Sequence, residues 1–124
     1  MNGGRARHFP KRGEIYLVKL DSTQGSKIRK TRPAVIVQND VANASSPITI
    51  VAAISSKSGQ IVYPTEVPIQ PSGSGLPNPS IVMCNQIRSI DHKRILKRLG
   101  RVRPERMNEV DIALRISLGL TTLQ

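Results

Sequence analysis

The sequence predicts a mostly β chain of the α+β class, folded as a small barrel with helical additions. Short runs rich in Val, Ile and Tyr alternate with turns rich in Gly, Pro, Ser and Asn, which is typical of strands joined by loops. One segment near the C-terminus repeats apolar residues at spacings of three and four, which indicates a helix. With 124 residues, of which 38% are hydrophobic, the chain has material for one modest core.

The first half of the chain predicts three strands. After an expected flexible basic leader at residues 1–10, a single domain at 11–124 begins. Its first elements, in chain order, are a strand at Gly13–Leu20, a polar and basic loop at Asp21–Thr31, a buried strand at Pro33–Asn39, a turn at Asp40–Pro47 and a buried strand at Ile48–Ser55.

The second half predicts two or three further strands and one helix. In chain order these are a weak strand at Thr65–Ile69, a loop at Pro71–Ser80, a strand at Ile81–Asn85, a short helical turn capped by Asp91 and a last strand at Leu96–Val102. Pro68 suits an edge strand because it cannot donate to a ladder.

The C-terminal helix is predicted to begin at Pro104, where a first-turn proline belongs, and to end near Gly119. Its apolar stripe is Met107, Val110, Leu114 and Leu118.

The charge of the chain indicates a polyanionic partner. Nineteen Lys and Arg against eight Asp and Glu give a formal net charge of +11. The longest nearly unbroken apolar run, Ile48–Ile54, is far shorter than the roughly 20 residues of a spanning helix. No signal peptide is recognisable, and a lone Cys84 excludes a disulfide framework or a Cys-rich zinc site. We therefore expect a cytoplasmic protein with no membrane partner.

Aromatic side chains are scarce: Phe9, Tyr16 and Tyr63 are the only ones. Because single-strand binders usually stack bases on several rings, we expect nucleic acid to be held by Arg, Lys, hydroxyl and backbone groups. The few acidic residues form no metal-ligand motif, which disfavours a metal-dependent nuclease. Neither a metal nor another cofactor is expected.

Five segments together resemble the MazF/PemK family of toxins from bacterial toxin–antitoxin systems, in the family's order and spacing. They are KRGEIYLVKLD at Lys11–Asp21, TRPAVIVQND at Thr31–Asp40, ITIVAAISS at Ile48–Ser56, NQIRSIDHKRI at Asn85–Ile95 and NEVDIALRISLGL at Asn108–Leu120.

The resemblance implies an SH3-like barrel with a C-terminal helix, acting as a homodimer. It implies the toxin of a type II system, a sequence-specific, metal-independent endoribonuclease (mRNA interferase) that cleaves single-stranded RNA. Attack of the ribose 2′-hydroxyl on the adjacent phosphate leaves a 2′,3′-cyclic phosphate and a 5′-hydroxyl. An acidic MazE-like antitoxin is the implied partner, and the toxin–antitoxin complex is expected to bind DNA.

Arg32 and Ser55 are the candidate catalytic residues. Pro33 favours an extended Arg32 at the mouth of a buried strand, and a guanidinium can offer two parallel donors to a phosphate. Ser55 follows an apolar strand, at a position where the family usually has Thr, and it keeps the hydroxyl. The alternatives are a solvated strand-edge arginine and a serine that caps a turn.

Two further groups of residues are candidates for RNA binding. The basic loop before Arg32 contains Lys27, Arg29 and Lys30. The Asn-Gln-Ile-Arg motif contains Asn85, Gln86 and Arg88. Many family members carry an acid where this chain has Asn85, and an amide cannot accept a proton at neutral pH. Gln86 has the alternative of bridging two strands.

His8 and His92 lie outside the family's catalytic positions, and we expect both on the surface. Two other functions stay open at this point. One is a non-enzymatic toxin of the same fold that binds DNA gyrase, like CcdB, and the other is a plain nucleic-acid-binding module with an SH3-like barrel.

Overall fold

The computed structural model describes residues 8–20, 31–56 and 62–121 of the chain. Within these ranges the elements are β1 (Glu14–Lys19), β2 (Thr31–Ile36), α1 (Asp40–Ser45), β3 (Ile48–Ser55), β4 (Glu66–Ile69), β5 (Ser80–Asp91), a 3-10 turn (His92–Arg94), β6 (Ile95–Arg101) and α2 (Pro104–Ser117). The expected class, mostly β with a C-terminal helix, is confirmed.

The six strands form one antiparallel sheet in the order β4-β5-β3-β2-β1-β6. Its ladder does not close on itself, so β4 and β6 are the edges. The edge position of β4 agrees with the proline within it, Pro68. The expected barrel is therefore an open sheet in the part of the chain that is described.

The loop after β4 docks on β6, at the opposite edge of the ladder. The Arg101 N–H donates to the Gly73 carbonyl at 3.0 Å. A Cβ on Gly75, which has φ +77°, would lie 1.9 Å from the Leu99 carbonyl oxygen, and one on Gly100 would lie 2.4 Å from the Ser74 carbonyl carbon. Glycine is required at both positions because the two backbones are in contact.

Apolar side chains pack on both faces of the sheet. One cluster includes Val35, Ile54, Val82 and Val110, and α2 covers it. The other includes Val18, Ile36, Val51 and Ile90. The central strands are therefore buried on both sides, which explains why β3 reads as a nearly continuous apolar run.

The prediction of a simple turn at Asp40–Pro47 is wrong, because the helix α1 lies there. The Asn39 side chain accepts from the Ala42 N–H at 2.8 Å and caps the helix. Asn43, 1% exposed, accepts from the Thr49 hydroxyl at 2.7 Å and from the Gln38 amide at 2.9 Å. This buried bonding fixes α1 against β3.

The predicted strand at Ile81–Asn85 is correct but too short, since β5 continues to Asp91. Its pairing with β3 jumps from Ala53↔Met83 to Ala52↔Ile87. The residues between Met83 and Ile87 are therefore a bulge, and a bulge carries an exposed stretch through a strand without ending it.

The helix α2 confirms the C-terminal prediction. Pro104 occupies its first turn, and Gly119 follows it with φ +73°. Val110 and Ala113 are buried. Leu118, the last residue of the predicted apolar stripe, is 56% exposed, so the stripe is not buried to its end.

Candidate active site

A cavity of about 380 Å³ lies at the end of the sheet where β2 begins and β3 ends. In this antiparallel pair Ala34 lies opposite Ala53. Arg32 and Ser55 each lie two residues beyond this pair, toward the same end of the sheet. Both predicted catalytic residues line the cavity, together with Pro33, Ile54, Ser56, Leu76, Pro77, Asn78 and Ser80.

Arg32 brings a positive charge that no neighbour in the described ranges neutralises. It is exposed, and its backbone pairs with Val18 on β1. Other arginines contact carboxylates: Arg12 lies 2.6 Å from Asp111 and Arg98 lies 3.0 Å from Glu14. Arg32 has no such ion pair within the described residues. Its guanidinium is therefore available to an anion that enters the cavity.

Hydroxyl and amide groups supply the rest of the cavity's polarity. Ser55 ends β3 half-buried, with its backbone opposite Ile81 of β5. Neither a carboxylate nor an imidazole is present among the described lining residues. The cavity therefore combines one cation with neutral donors, which suits a phosphate better than it suits a cationic ligand.

One wall of the cavity is the loop that docks on β6. Ser74 is 2% exposed, and its hydroxyl donates to the Pro71 carbonyl at 2.9 Å and accepts from the Leu76 N–H at 3.1 Å. The Ser80 hydroxyl donates to the Asn78 carbonyl at 3.0 Å. These bonds position Leu76, Pro77 and Asn78 against the strand ends.

The loop residues were missed in the sequence, where Pro71–Ser80 reads only as a loop. No local motif marks Asn78 as a lining residue. The one usable signal is the pair Gly73 and Gly75, because closely spaced glycines in a loop indicate special backbone conformations. That signal indicates a constrained loop without identifying what the loop contacts.

The predicted RNA-binding residues are not gathered into this cavity. Asn85 and Gln86 are exposed in the bulge of β5, and Arg88 is exposed opposite Val51. None of the three lines the cavity that holds Arg32. The basic residues Lys27, Arg29 and Lys30 lie outside the described residues.

Cys84 is not a nucleophile candidate. It has no exposed surface. Burial, and then the negative charge of Asp111, raises the pKa of its thiol to about 11. The thiolate, which is the reactive form, is therefore disfavoured at neutral pH.

No set of three or more His, Cys, Asp and Glu side chains in the described ranges is arranged to hold a metal ion. Among the same residues, no helix has both the length and the apolar character needed to cross a membrane.

Comparison with known families decides which kind of protein this is. Residues 11–118 match the model of the PemK-like, MazF-like toxin of type II toxin–antitoxin systems. The chain belongs to this toxin family. The match begins and ends close to the limits set by the motifs in the sequence.

Individual relatives agree with the assignment. The chain is 40% identical over 114 residues to a protein of Staphylococcus saprophyticus named endoribonuclease MazF, covering 92% of this chain and 95% of that protein. A mycobacterial endoribonuclease solved with its cognate antitoxin has 26% identity and a TM-score of 0.75, covering 92% of this chain and 99% of that one. A mycobacterial endoribonuclease without a named partner has 25% identity and the same TM-score, covering 96% and 100%.

Proposed function

We propose that this toxin is a cytoplasmic, sequence-specific endoribonuclease that cleaves single-stranded RNA without a metal ion. The observation that carries the proposal is the cavity in which Arg32 and Ser55 approach from adjacent strands. The family assignment and the name of the staphylococcal relative support the substrate class.

The proposed reaction is an internal transfer at phosphorus. The 2′-oxygen of the ribose forms a bond to the adjacent phosphorus, and the bond from phosphorus to the 5′-oxygen of the next nucleotide breaks. The products are a 2′,3′-cyclic phosphate and a 5′-hydroxyl. The 2′-hydroxyl loses its proton and the departing 5′-oxygen gains one.

Arg32 stabilises the negative charge that grows on the phosphate oxygens. A guanidinium without a carboxylate partner can place two donors on two of those oxygens, and a fixed charge of this kind often contributes more to catalysis than any other single effect. Ser55 donates its hydroxyl hydrogen to a further non-bridging oxygen. Because the described lining residues include no carboxylate or imidazole, we assign both proton transfers to water.

The same donor set supports the proposed independence from metal. Hard cations such as Mg²⁺ are held mainly by carboxylate and carbonyl oxygens and by water. The cavity instead presents a guanidinium, which supplies positive charge to the phosphate directly. A divalent ion would be repelled from the place that the phosphate occupies.

The charge of the chain and its family support the proposed partners. A protein of net charge +11 attracts both RNA and an acidic antitoxin. The mycobacterial structure with a cognate antitoxin supports the second partner. We propose that an acidic antitoxin segment and RNA compete for this toxin, and that the toxin acts as a homodimer.

The test is cleavage of single-stranded RNA in the presence of EDTA. We expect full activity in the chelator, a 2′,3′-cyclic phosphate on the upstream fragment, and no cleavage of DNA of the same sequence, because DNA lacks the attacking hydroxyl. Duplex RNA is spared because the paired backbone cannot reach in-line geometry. Activity that disappears in EDTA and returns with Mg²⁺ refutes the mechanism. Inhibition of DNA gyrase without RNA cleavage refutes the function.

A further inference from the structure

A second cavity, of about 490 Å³, lies between the segment before β1, the strands β1 and β6, and the 3-10 turn. Its volume falls in the range of small-molecule sites, roughly 300–1,000 Å³. Its lining residues are His8, Phe9, Pro10, Lys11, Glu14, Tyr16, His92, Ile95 and Arg98. The proposed reaction uses none of them.

Most of the aromatic and imidazole side chains of the protein line this cavity. The chain has one Phe, two Tyr, two His and no Trp. Four of these five rings, His8, Phe9, Tyr16 and His92, line the cavity. The fifth, Tyr63, is 60% exposed and lies elsewhere. The scarcity of aromatic residues argued against a stacking platform, but the fold brings nearly all of the available rings to one place.

Three polar groups of the cavity are paired with the Glu14 carboxylate. Glu14 Oε1 accepts from the Tyr16 hydroxyl and from the Lys11 N–H, each at 2.9 Å, and Oε2 accepts from Arg98 Nε at 3.0 Å. Burial, and then the hydrogen bond to Glu14, raises the pKa of Tyr16 to about 12, so the phenol is neutral. The Tyr16 ring is thus fixed before any ligand binds, which lowers the entropic cost of binding.

One polar atom at the cavity has no partner. His92 Nε2 is buried, and no group within the described residues makes a hydrogen bond to it. A buried nitrogen without a partner costs free energy. Because this atom has almost no accessible surface, a base in the cavity contacts the ring of His92 and not its Nε2 atom.

The cavity lies on the same face of the sheet as the proposed catalytic arginine. Val18 pairs with Arg32 on one side and with Ile95 on the other, and Tyr16 pairs with Ala34. Residues directly opposite in an antiparallel ladder share a face, as do residues two apart along a strand. Ile95 is therefore two strand spacings, roughly 10 Å, from Arg32 across the sheet.

We propose that this cavity binds an unstacked nucleobase of the RNA substrate, in a nucleotide away from the scissile phosphate. Phe9, Tyr16 and His92 supply ring surfaces, and Lys11 and Arg98 lie beside the nucleotide's phosphate. The inference rests on the proposed function for its ligand. An acidic peptide fits less well, because its carboxylates would meet Glu14, whereas a base is uncharged.

The first test uses the fluorescence of Tyr16. Since the chain has no Trp and only two Tyr, the Tyr63→Phe variant leaves Tyr16 as the single emitter. We expect saturable quenching by adenosine monophosphate and none by ribose 5-phosphate, which has the phosphate but no base. Equal responses to the two probes, or no response to either, overturn the proposal.

The second test measures binding of a fluorescent single-stranded RNA to Arg32→Ala protein, which separates binding from cleavage. We expect Phe9→Leu and His92→Leu each to weaken binding by roughly fivefold to a hundredfold, the range for loss of one stacked base. Tyr63→Leu is the matched control, since it removes the one ring outside the cavity. Binding of polyphosphate, which has charge but no bases, should not change in any variant.

The outcomes distinguish failure of base binding from failure of the proposed cleavage function. RNA affinity that is unchanged in the ring variants, while the parent protein still cleaves RNA, refutes the base pocket and leaves the cleavage function intact. Loss of self-association in sedimentation, without loss of RNA affinity, shows that the cavity is a contact between two copies and also refutes it. Thermal unfolding of each variant identifies any that fail to fold, and the quenching test needs no substitution within the cavity.

Discussion

The two cavities lie two strands apart, and their arginines differ in whether a carboxylate neutralises them. Arg32 has no carboxylate partner among the described residues, whereas Arg98 is paired with Glu14. The described lining of the Arg32 cavity has no aromatic or imidazole ring and no carboxylate. The other cavity has four such rings and an internal ion pair.

Under the proposed function, this difference separates two tasks in handling one RNA strand. A phosphate whose charge grows during reaction is stabilised by a cation that nothing else neutralises. A neutral base is held by stacking on flat aromatic surfaces. We therefore assign the rate of cleavage to one cavity and part of the affinity to the other.

The largest expected effect is on Arg32. Arg32→Ala should lower the single-turnover cleavage rate by about 10²-fold or more, because the lost charge acts mainly in the transition state. Arg32→Lys should restore little, since an ammonium cannot present two parallel donors to one phosphate. Arg115→Ala, which removes an exposed charge of α2 outside the cavity, is the control for net charge. Cleavage by Arg32→Ala at the parental rate would leave Arg32 as an ordinary surface arginine.

The next effect in size is on Ser55. Ser55→Ala removes one neutral donor and should slow cleavage by roughly tenfold to a hundredfold, less than the arginine change. Ser55→Thr keeps the hydroxyl and should retain most of the activity. The same single-turnover assay measures both. A threonine variant as slow as the alanine variant would show that the hydroxyl is not the functional group.

A smaller effect is expected from the loop that forms the cavity wall. Gly73 and Gly75 have nearly the same backbone, φ +76° and +77°, but only Gly75 faces the Leu99 carbonyl. Gly75→Ala should lower the free energy of unfolding by roughly 1–3 kcal/mol more than Gly73→Ala. It should also slow cleavage by a few fold, because Leu76 and Asn78 move with it. Denaturant unfolding of the two alanine variants measures the difference. Equal stabilities would show that the backbone of Gly75 does not contact Leu99 of β6.

Local patterns in the sequence were sufficient for most of the elements. The apolar run at Ile48–Ser55 has the bounds of β3, and Pro104 and Gly119 mark the ends of α2 correctly. The turn before β3 proved to be a helix because Asn39 caps it and a buried bond between Asn43 and Thr49 holds it. That second bond is tertiary, so no local rule reveals it.

The candidate site was predictable only in part, for the same reason. Arg32 and Ser55 come from adjacent strands, and the family motifs pointed to both. Asn78 reaches the cavity through a loop whose position depends on backbone contacts with β6. The second cavity, lined by His8, Phe9, Tyr16 and His92 and here called the ring cavity, depends on pairing between β1 and β6. That pairing joins residues from opposite ends of the chain. Because the residues of this cavity are far apart in the sequence, local sequence patterns do not predict it.

The smallest expected effect is on stability at alkaline pH, and it distinguishes the ring cavity from the core beside α2. Tyr16 and Cys84 are held neutral in the folded chain, with pKa values raised from 10.0 to about 12 and from 9.0 to about 11. An unfolded chain loses these protons at lower pH than the folded chain does, so unfolding is favoured as the pH rises. The contribution of Cys84 to the free energy of unfolding is fully present below pH 9 and is lost by about pH 11. That of Tyr16 is present below pH 10 and is lost by about pH 12.

Single substitutions isolate the two contributions. Tyr16→Phe should flatten the fall of unfolding free energy between pH 10 and 12, and Cys84→Ala should flatten it between pH 9 and 11. We expect on the order of 1–2 kcal/mol for the fully buried Cys84 and less for the partly exposed Tyr16, where solvent screens the interaction with Glu14. Urea unfolding at each pH measures the slopes, whatever constant offset each substitution adds. If Tyr16→Phe follows the parent curve above pH 10, neither burial nor the hydrogen bond to Glu14 raises the pKa of the phenol in the folded state. The ring cavity would then lack the internal pairing that distinguishes it from the cavity of Arg32.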